Sequence, residues 1–136
     1  MAHRFALRVY YEDTDLAGIV YYANYLKFIE RGRSEALRDC GVDQRGLMAQ
    51  GLVFAVRRVV ADYLSPARFG DDLVVETRTL HLGGARLVLD QRVLRGAAVL
   101  FSAEVTLACL TDRGRAGRIP ADIRHKMQAG AVFTQE

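Results

Sequence analysis

The chain has 136 residues, 51% of them hydrophobic and 26% charged, with a formal net charge of +3. That length suits one domain, 1–136, with a single core; with no charged-then-apolar start and no apolar run long enough to span a bilayer, a cytoplasmic protein without a transmembrane segment is expected. The basic residues are all Arg except Lys27 and Lys126 and are scattered rather than striped, which argues against a nucleic-acid surface but is compatible with a phosphate-bearing ligand or an acidic partner.

Residues 5–9 alternate apolar Phe5, Leu7 and Val9 with Ala6 and Arg8, the period of a half-buried strand. A polar turn follows, with Asp13 and Asp15 two residues apart and Gly18 after them. From Ala23 the period changes: Tyr25, Leu26, Ile29, Ala36, Leu37 and Cys40 recur at threes and fours, which predicts a helix of about four to five turns ending at Gly41 as its C-cap. Gly32 weakens that helix by about 1 kcal/mol relative to Ala, so a neighbour packed closely there is expected. Residues 43–50 hold a further helical turn. Four strands come next: 53–64, closed by Ser65-Pro66; 73–82, stopped at a Gly83-Gly84 hairpin turn; 87–95, alternating up to Arg95-Gly96; and 99–110, nearly continuous in apolar residues and expected at the sheet centre. A helical tail over 122–127 follows Pro120. The order of strand, long helix and four strands predicts an α+β fold, a five-stranded antiparallel sheet curled around one central helix. One helix cannot cover such a sheet, so a homodimer or homotetramer is expected.

The two cysteines, Cys40 and Cys109, lie far apart in apolar patterns and read as buried free thiols. His3, His81 and His125 fall in different elements without metal-ligand spacing, and no serine sits in a Gly-x-Ser-x-Gly setting. The run Asp13-Thr14-Asp15-Leu16-Ala17-Gly18 begins like a calcium loop, but Asn24 stands where the closing Glu belongs. The phosphatases of the haloacid dehalogenase type, which also use Asp-x-Asp after a strand, need a parallel sheet that four consecutive strands do not offer. What remains is a carboxylate as nucleophile or base beside the N-terminus of the long helix, where free N–H groups and the dipole favour developing negative charge. The same two carboxylates also suit Asx-type hydrogen bonds that merely form the turn.

Three motifs carry a family resemblance: Tyr11-x-Asp13-Thr14-Asp15-x-x-Gly18-Ile19-Val20-Tyr21-Tyr22-Ala23-Asn24-Tyr25, then Phe28-x-Glu30-Arg31-x-Arg33-x-Glu35, then Tyr63-x-x-Pro66-Ala67-x-x-x-Asp71-x-Leu73. Together they resemble the hotdog-fold acyl-CoA thioesterases of the 4-hydroxybenzoyl-CoA thioesterase type, closest to the branch associated with the Tol-Pal system. The resemblance implies a hotdog fold with active sites at a dimer interface, and hydrolysis of an acyl-CoA substrate with neither cofactor nor metal. It places the catalytic carboxylate at Asp15 and the backbone N–H that polarises the thioester carbonyl at Tyr22. Gly18, Val20 and Tyr25 become substrate contacts, and Arg86 a candidate contact for coenzyme A phosphate. The Tol-Pal branch commonly has His where this chain has Tyr22; a backbone contact survives that change, whereas a role for the His side chain does not. The competing reading is a non-hydrolytic protein of the same fold that binds acyl thioesters or acyl carrier protein.

Overall fold

The computed structural model describes residues 2–130. In chain order it contains β1 (His3–Arg8), a 3-10 turn (Tyr11–Asp13), α1 (Asn24–Asp39), α2 (Gln44–Ala49), β2 (Leu52–Tyr63), β3 (Asp72–Leu82), β4 (Arg86–Arg95), β5 (Ala98–Thr111) and α3 (Ala121–Ala129). The strands form one five-stranded sheet in the order β1-β3-β4-β5-β2, and each neighbouring pair is antiparallel. This is the hotdog arrangement, a long helix wrapped by an antiparallel sheet. The centre differs from expectation: β4 holds the middle place, and β5 lies between β4 and β2. An apolar run therefore marks β5 as an interior strand without fixing which interior strand it is.

The helix α1 packs on β1, β3 and β4 through Tyr25, Phe28, Ile29, Gly32, Ala36 and Leu37. At Gly32 helix and sheet approach closely, because a Cβ there would meet Val75 Cγ1 at 2.5 Å. Leu26, whose spacing put it on the buried face, is instead 41% exposed; the stripe that faces the sheet runs through Tyr25, Phe28 and Ile29, and Leu26 lies about 100° around the helix from Tyr25. The helix ends in a Schellman motif: Val42 N–H donates to the Leu37 carbonyl and Gly41 N–H to Arg38, both at 3.0 Å, with Gly41 at φ +87°.

One polar group is built into this interface. Gln91, fully buried on β4, donates through Nε2 to the Ile29 carbonyl and to Thr77 Oγ1, both at 2.9 Å, and accepts from Arg33 Nη1 at 3.2 Å. The pairing satisfies the amide and fixes helix to sheet. Of the two free thiols, Cys109 is buried as expected, but Cys40, at the helix C-cap, is only half-buried; burial pushes both thiols up. At the edge of the sheet, β2 leaves Val56 and Val60 47% and 49% exposed. No helix among the described residues is long and apolar enough to cross a membrane.

Candidate active site

The aspartate turn folds into a small hairpin. Asp13 accepts the Tyr10 N–H on Oδ2 at 2.8 Å and so closes the 3-10 turn after β1. Thr14 then pairs with Val20 across the hairpin, Asp15 N–H donates to the Ile19 carbonyl at 3.0 Å, and Gly18 N–H donates back to the Asp15 carbonyl at 3.0 Å. Gly18 sits at φ +77°, the left-handed position that closes a three-residue loop and that a side chain would strain. Within the loop the Asp15 carboxylate accepts the Ala17 N–H on Oδ1 at 2.9 Å. Its Oδ2 has no partner among the described residues and the side chain is exposed. The turn-forming and chemical readings of Asp15 are thus compatible, since one oxygen holds the loop and the other is available.

The return strand of the hairpin leads straight into α1. Val20 N–H donates to the Ala67 carbonyl and Tyr21 N–H to Asp13, both at 2.9 Å. The Asp13 carbonyl also accepts Asn24 Nδ2 at 2.9 Å, while Asn24 N–H donates to the Tyr21 carbonyl at 2.8 Å. No side chain caps α1 and its first turn carries no acid. The N–H groups of Tyr22 and Ala23 consequently have no acceptor among the described residues, and they stand at the positive end of a 16-residue helix.

Aromatic rings and the segment 63–71 support this helix start. Tyr25 stacks on Phe101 with centroids 5.0 Å apart, and its hydroxyl accepts the Ala67 N–H at 3.0 Å. Tyr63, the last residue of β2, packs edge-on against Phe101 and donates its hydroxyl to the Tyr22 carbonyl at 3.0 Å. Asp71 closes the segment by accepting the Arg68 N–H at 2.8 Å and pairing with Arg95 at 2.9 Å; those two partners, Arg68 first, hold its carboxyl below the usual range. Burial raises the Tyr25 and Tyr63 phenols. Tyr21 is raised by hydrogen bonding and charge from adjacent Tyr22, and the nearby Asp15 carboxylate adds to the effect.

Two recesses flank the hairpin. Asp15 and Gly18, with Tyr11, Thr14, Leu16 and Phe69, line an open groove of about 840 Å³. Val20, Tyr22 and Tyr25, with Ile19, Tyr63 and Pro66, line an apolar cleft of about 320 Å³. The structure therefore brings the predicted residues together in two groups, on either side of one hairpin. Arg86 joins neither: it pairs with Ala108 at the start of β4, whereas Arg95, at the other end of the strand, is the residue that reaches Asp71. Nine residues of strand, roughly 30 Å, separate the two arginines. Tyr63 was visible in the sequence only as a motif residue, and Phe69 not at all, because what places them is long-range. Among the described residues no three His, Cys, Asp or Glu side chains are placed to hold a metal ion.

With this geometry in view, comparison with known proteins is informative. The family model described as the thioesterase superfamily matches residues 17–101, from within the hairpin to β5, with Asp15 just ahead of the matched span. The chain is 42% identical over 108 residues to the acyl-CoA thioester hydrolase YbgC of Escherichia coli O6:H1, covering 79% of this chain and 81% of that one. It is 43% identical over 112 residues to the acyl-CoA thioesterase YbgC of Haemophilus influenzae, covering 82% of each. The crystal structure of a probable thioesterase from Bartonella henselae superposes with a TM-score of 0.83 at 41% identity, over 88% of this chain and 100% of that one.

Proposed function

Because this chain belongs to the thioesterase superfamily, we propose that it hydrolyses an acyl-CoA thioester to the free acid and coenzyme A, with Asp15 as the catalytic carboxylate and the Tyr22 backbone N–H as the electrophilic donor. The observation that carries this reading is the continuity of the hairpin. A short hydrogen-bonded turn holds Asp15 with one oxygen free, and its return strand ends on N–H groups that α1 leaves without acceptors.

The thioester carbonyl oxygen accepts the Tyr22 N–H, and negative charge that builds on it as the carbon becomes tetrahedral is stabilised by that donor and by the helix dipole. Asp15 acts in one of two ways. As a nucleophile its free oxygen attacks the carbonyl carbon, the C–S bond breaks, coenzyme A leaves as the thiolate, and water then cleaves the mixed anhydride. As a general base it takes a proton from water as the oxygen adds to the same carbon; the tetrahedral intermediate then collapses, the C–S bond breaks, and coenzyme A leaves as the thiolate, to which the proton on Asp15 can return. Water is the only co-reactant in either route.

Asp15 and Tyr22 open into separate recesses of one chain, and the β2 edge has exposed apolar residues. Pairing of two copies into a dimer, or of dimers into a tetramer, is the arrangement we propose to complete the site. In that assembly Arg86 of one copy is available to a coenzyme A held by the other.

The test is a substrate panel: propionyl-, octanoyl-, palmitoyl- and benzoyl-CoA and an acyl group carried on acyl carrier protein, with released thiol followed by a colour reagent. Thiol release from at least one member is expected. Saturable binding without release from any of them would refute hydrolysis and leave a protein that only holds acyl thioesters.

A further inference from the structure

The stretch Tyr63-x-x-Pro66-Ala67-x-x-x-Asp71 has no part in the chemistry described so far, yet two of its residues, Tyr63 and Ala67, hold the start of α1 and the residues that lead into it. Ala67 holds Val20 through its carbonyl and Tyr25 through its N–H. Tyr63 holds the Tyr22 carbonyl. This last contact bears directly on the N–H that faces the substrate.

A trans peptide is planar, with its C=O and N–H pointing in opposite directions. Tyr22 lies between two such planes. The first, linking Tyr21 to Tyr22, is fixed by the Asn24 N–H on the Tyr21 carbonyl at 2.8 Å, and that directs the Tyr22 N–H away from the helix. The second, linking Tyr22 to Ala23, has no helical partner to fix it, because Leu26 N–H donates to Ala23 instead of Tyr22. Among the described residues the Tyr63 hydroxyl is the only donor to the Tyr22 carbonyl. We propose that Tyr63 is a positioning residue for the hydrolysis: by holding the Tyr22 carbonyl it fixes the second plane, and together with the Asn24 N–H that fixes the first it holds residue 22 on both sides, so that the Tyr22 N–H stays aimed at the thioester oxygen.

The hydroxyl itself is well placed for this. The Tyr63 ring packs against Phe101, Tyr25 and Tyr22, with centroids 5.0, 5.6 and 6.2 Å away, so the position of its hydroxyl oxygen is set by packing. Burial also raises its phenol above the ordinary value, which keeps it a protonated donor at neutral pH. Tyr63 is 49% exposed and shares the apolar cleft with Tyr22 and Tyr25. With the cleft empty, water competes for the Tyr22 carbonyl; an acyl chain in the cleft expels that water, and the clamp then acts in the bound complex. Its effect belongs in kcat more than in KM.

This inference rests on the reading that Tyr22 N–H polarises the thioester, and the test separates the two. Tyr63→Phe keeps the ring and removes only the hydroxyl. The variant is assayed on the panel member cleaved fastest, and kcat is expected to fall about 10-fold to 100-fold with KM within about twofold; that is less than the 100-fold to 1,000-fold for deleting an oxyanion donor, because the N–H remains and is only misdirected. The second readout is infrared spectroscopy of the same acyl-CoA, isotopically labelled at its carbonyl and bound to protein carrying Asp15→Asn. The carbonyl stretch is expected to move to lower frequency on binding, and to move less when Tyr63→Phe is added. A stretch unchanged by Tyr63→Phe overturns the inference whatever kcat does, as does a loss confined to KM or a variant that does not fold, since each makes the hydroxyl a ligand contact or a structural bond. Absence of thiol release from the whole panel is the separate result that removes the hydrolytic reading, and this inference with it.

Discussion

Asp15→Asn removes one negative charge and almost nothing else. Asn retains the oxygen that accepts the Ala17 N–H at 2.9 Å, and its amide nitrogen takes the place of Oδ2, which has no partner among the described residues. Stability should change by no more than about 0.5 kcal/mol, as for an exposed side chain. Turnover should fall about 100-fold to 10,000-fold, or roughly 2.7 to 5.4 kcal/mol of transition-state stabilisation, and further if Asp15 is a nucleophile. Binding of a non-hydrolysable acyl-CoA should be little altered. Asp13→Asn is the matched control: its Oδ2 accepts the Tyr10 N–H at 2.8 Å, so weakening that charge-assisted bond should cost about 1 kcal/mol of stability and leave kcat within a few-fold. If Asp13→Asn abolishes turnover and Asp15→Asn spares it, the roles within the turn are reversed and the mechanism fails. A single turnover in heavy-oxygen water with excess enzyme then separates nucleophile from base. Label found in the Asp15 carboxylate by mass spectrometry establishes the anhydride, since a general base never acquires it.

Three other outcomes are expected. Gly32→Ala should lower the melting temperature by several degrees in calorimetry, because a methyl 2.5 Å from Val75 Cγ1 overpacks the helix–sheet contact by about 1 to 3 kcal/mol against a gain of about 1 kcal/mol in helix propensity; a higher melting temperature would show that Val75 yields freely. If copies pair through β2 as proposed, the doubly charged variant Val56→Asp, Val60→Asp should be a monomer in light scattering and release less thiol, whereas a monomer mass for the unaltered protein at micromolar concentration would count against that pairing. Asp71, with its folded pKa depressed chiefly by the Arg68 N–H and then by Arg95, contributes stability that is present above its unfolded value of about 3.9 and is lost as pH falls through the folded value. Thermal melts of Asp71→Asn should accordingly show a lower midpoint at neutral pH and a smaller decline between about pH 5 and pH 3 than the unaltered protein; equal declines would mean that Asp71 is not held in this way.

Local rules made most of the fold legible. Alternation marked β1, the three-and-four spacing marked α1, and Gly41 marked a helix end that does close in a Schellman motif. Gly32 announced a close approach, and Val75 is the atom group that requires it. The Gly83-Gly84 turn was right in position. Neither glycine has a positive φ, and a Cβ on Gly83 would meet at 2.9 Å only the end of the His81 side chain, which can move, so the turn does not depend on the left-handed backbone that glycine favours. Strand order was out of reach, because β4 and β5 carry similar apolar runs and the choice between them for the centre is decided by pairing between distant segments.

The same distinction between local and long-range runs through the site. Asp13, Asp15 and Gly18 interact with residues a few positions away, so their turn could be read from its own spacing. Tyr22 was named by the family resemblance, and the local reading of a helix start agrees with it, since the N–H groups left free there follow from having no residue of α1 before them to accept. Tyr63 is 41 positions from the carbonyl it holds. It arrives there only because β2 runs antiparallel to β5 at the sheet edge and sets Tyr63 opposite Phe101, on which Tyr25 is stacked. The turn that carries Asp15 is therefore specified by a short stretch of chain, while the contact that holds the Tyr22 carbonyl depends on the order of the whole sheet. A change that shifted the β2 register by one residue would send Tyr63 to the other face and release the Tyr22 carbonyl, leaving Asp15 in place without a well-aimed donor.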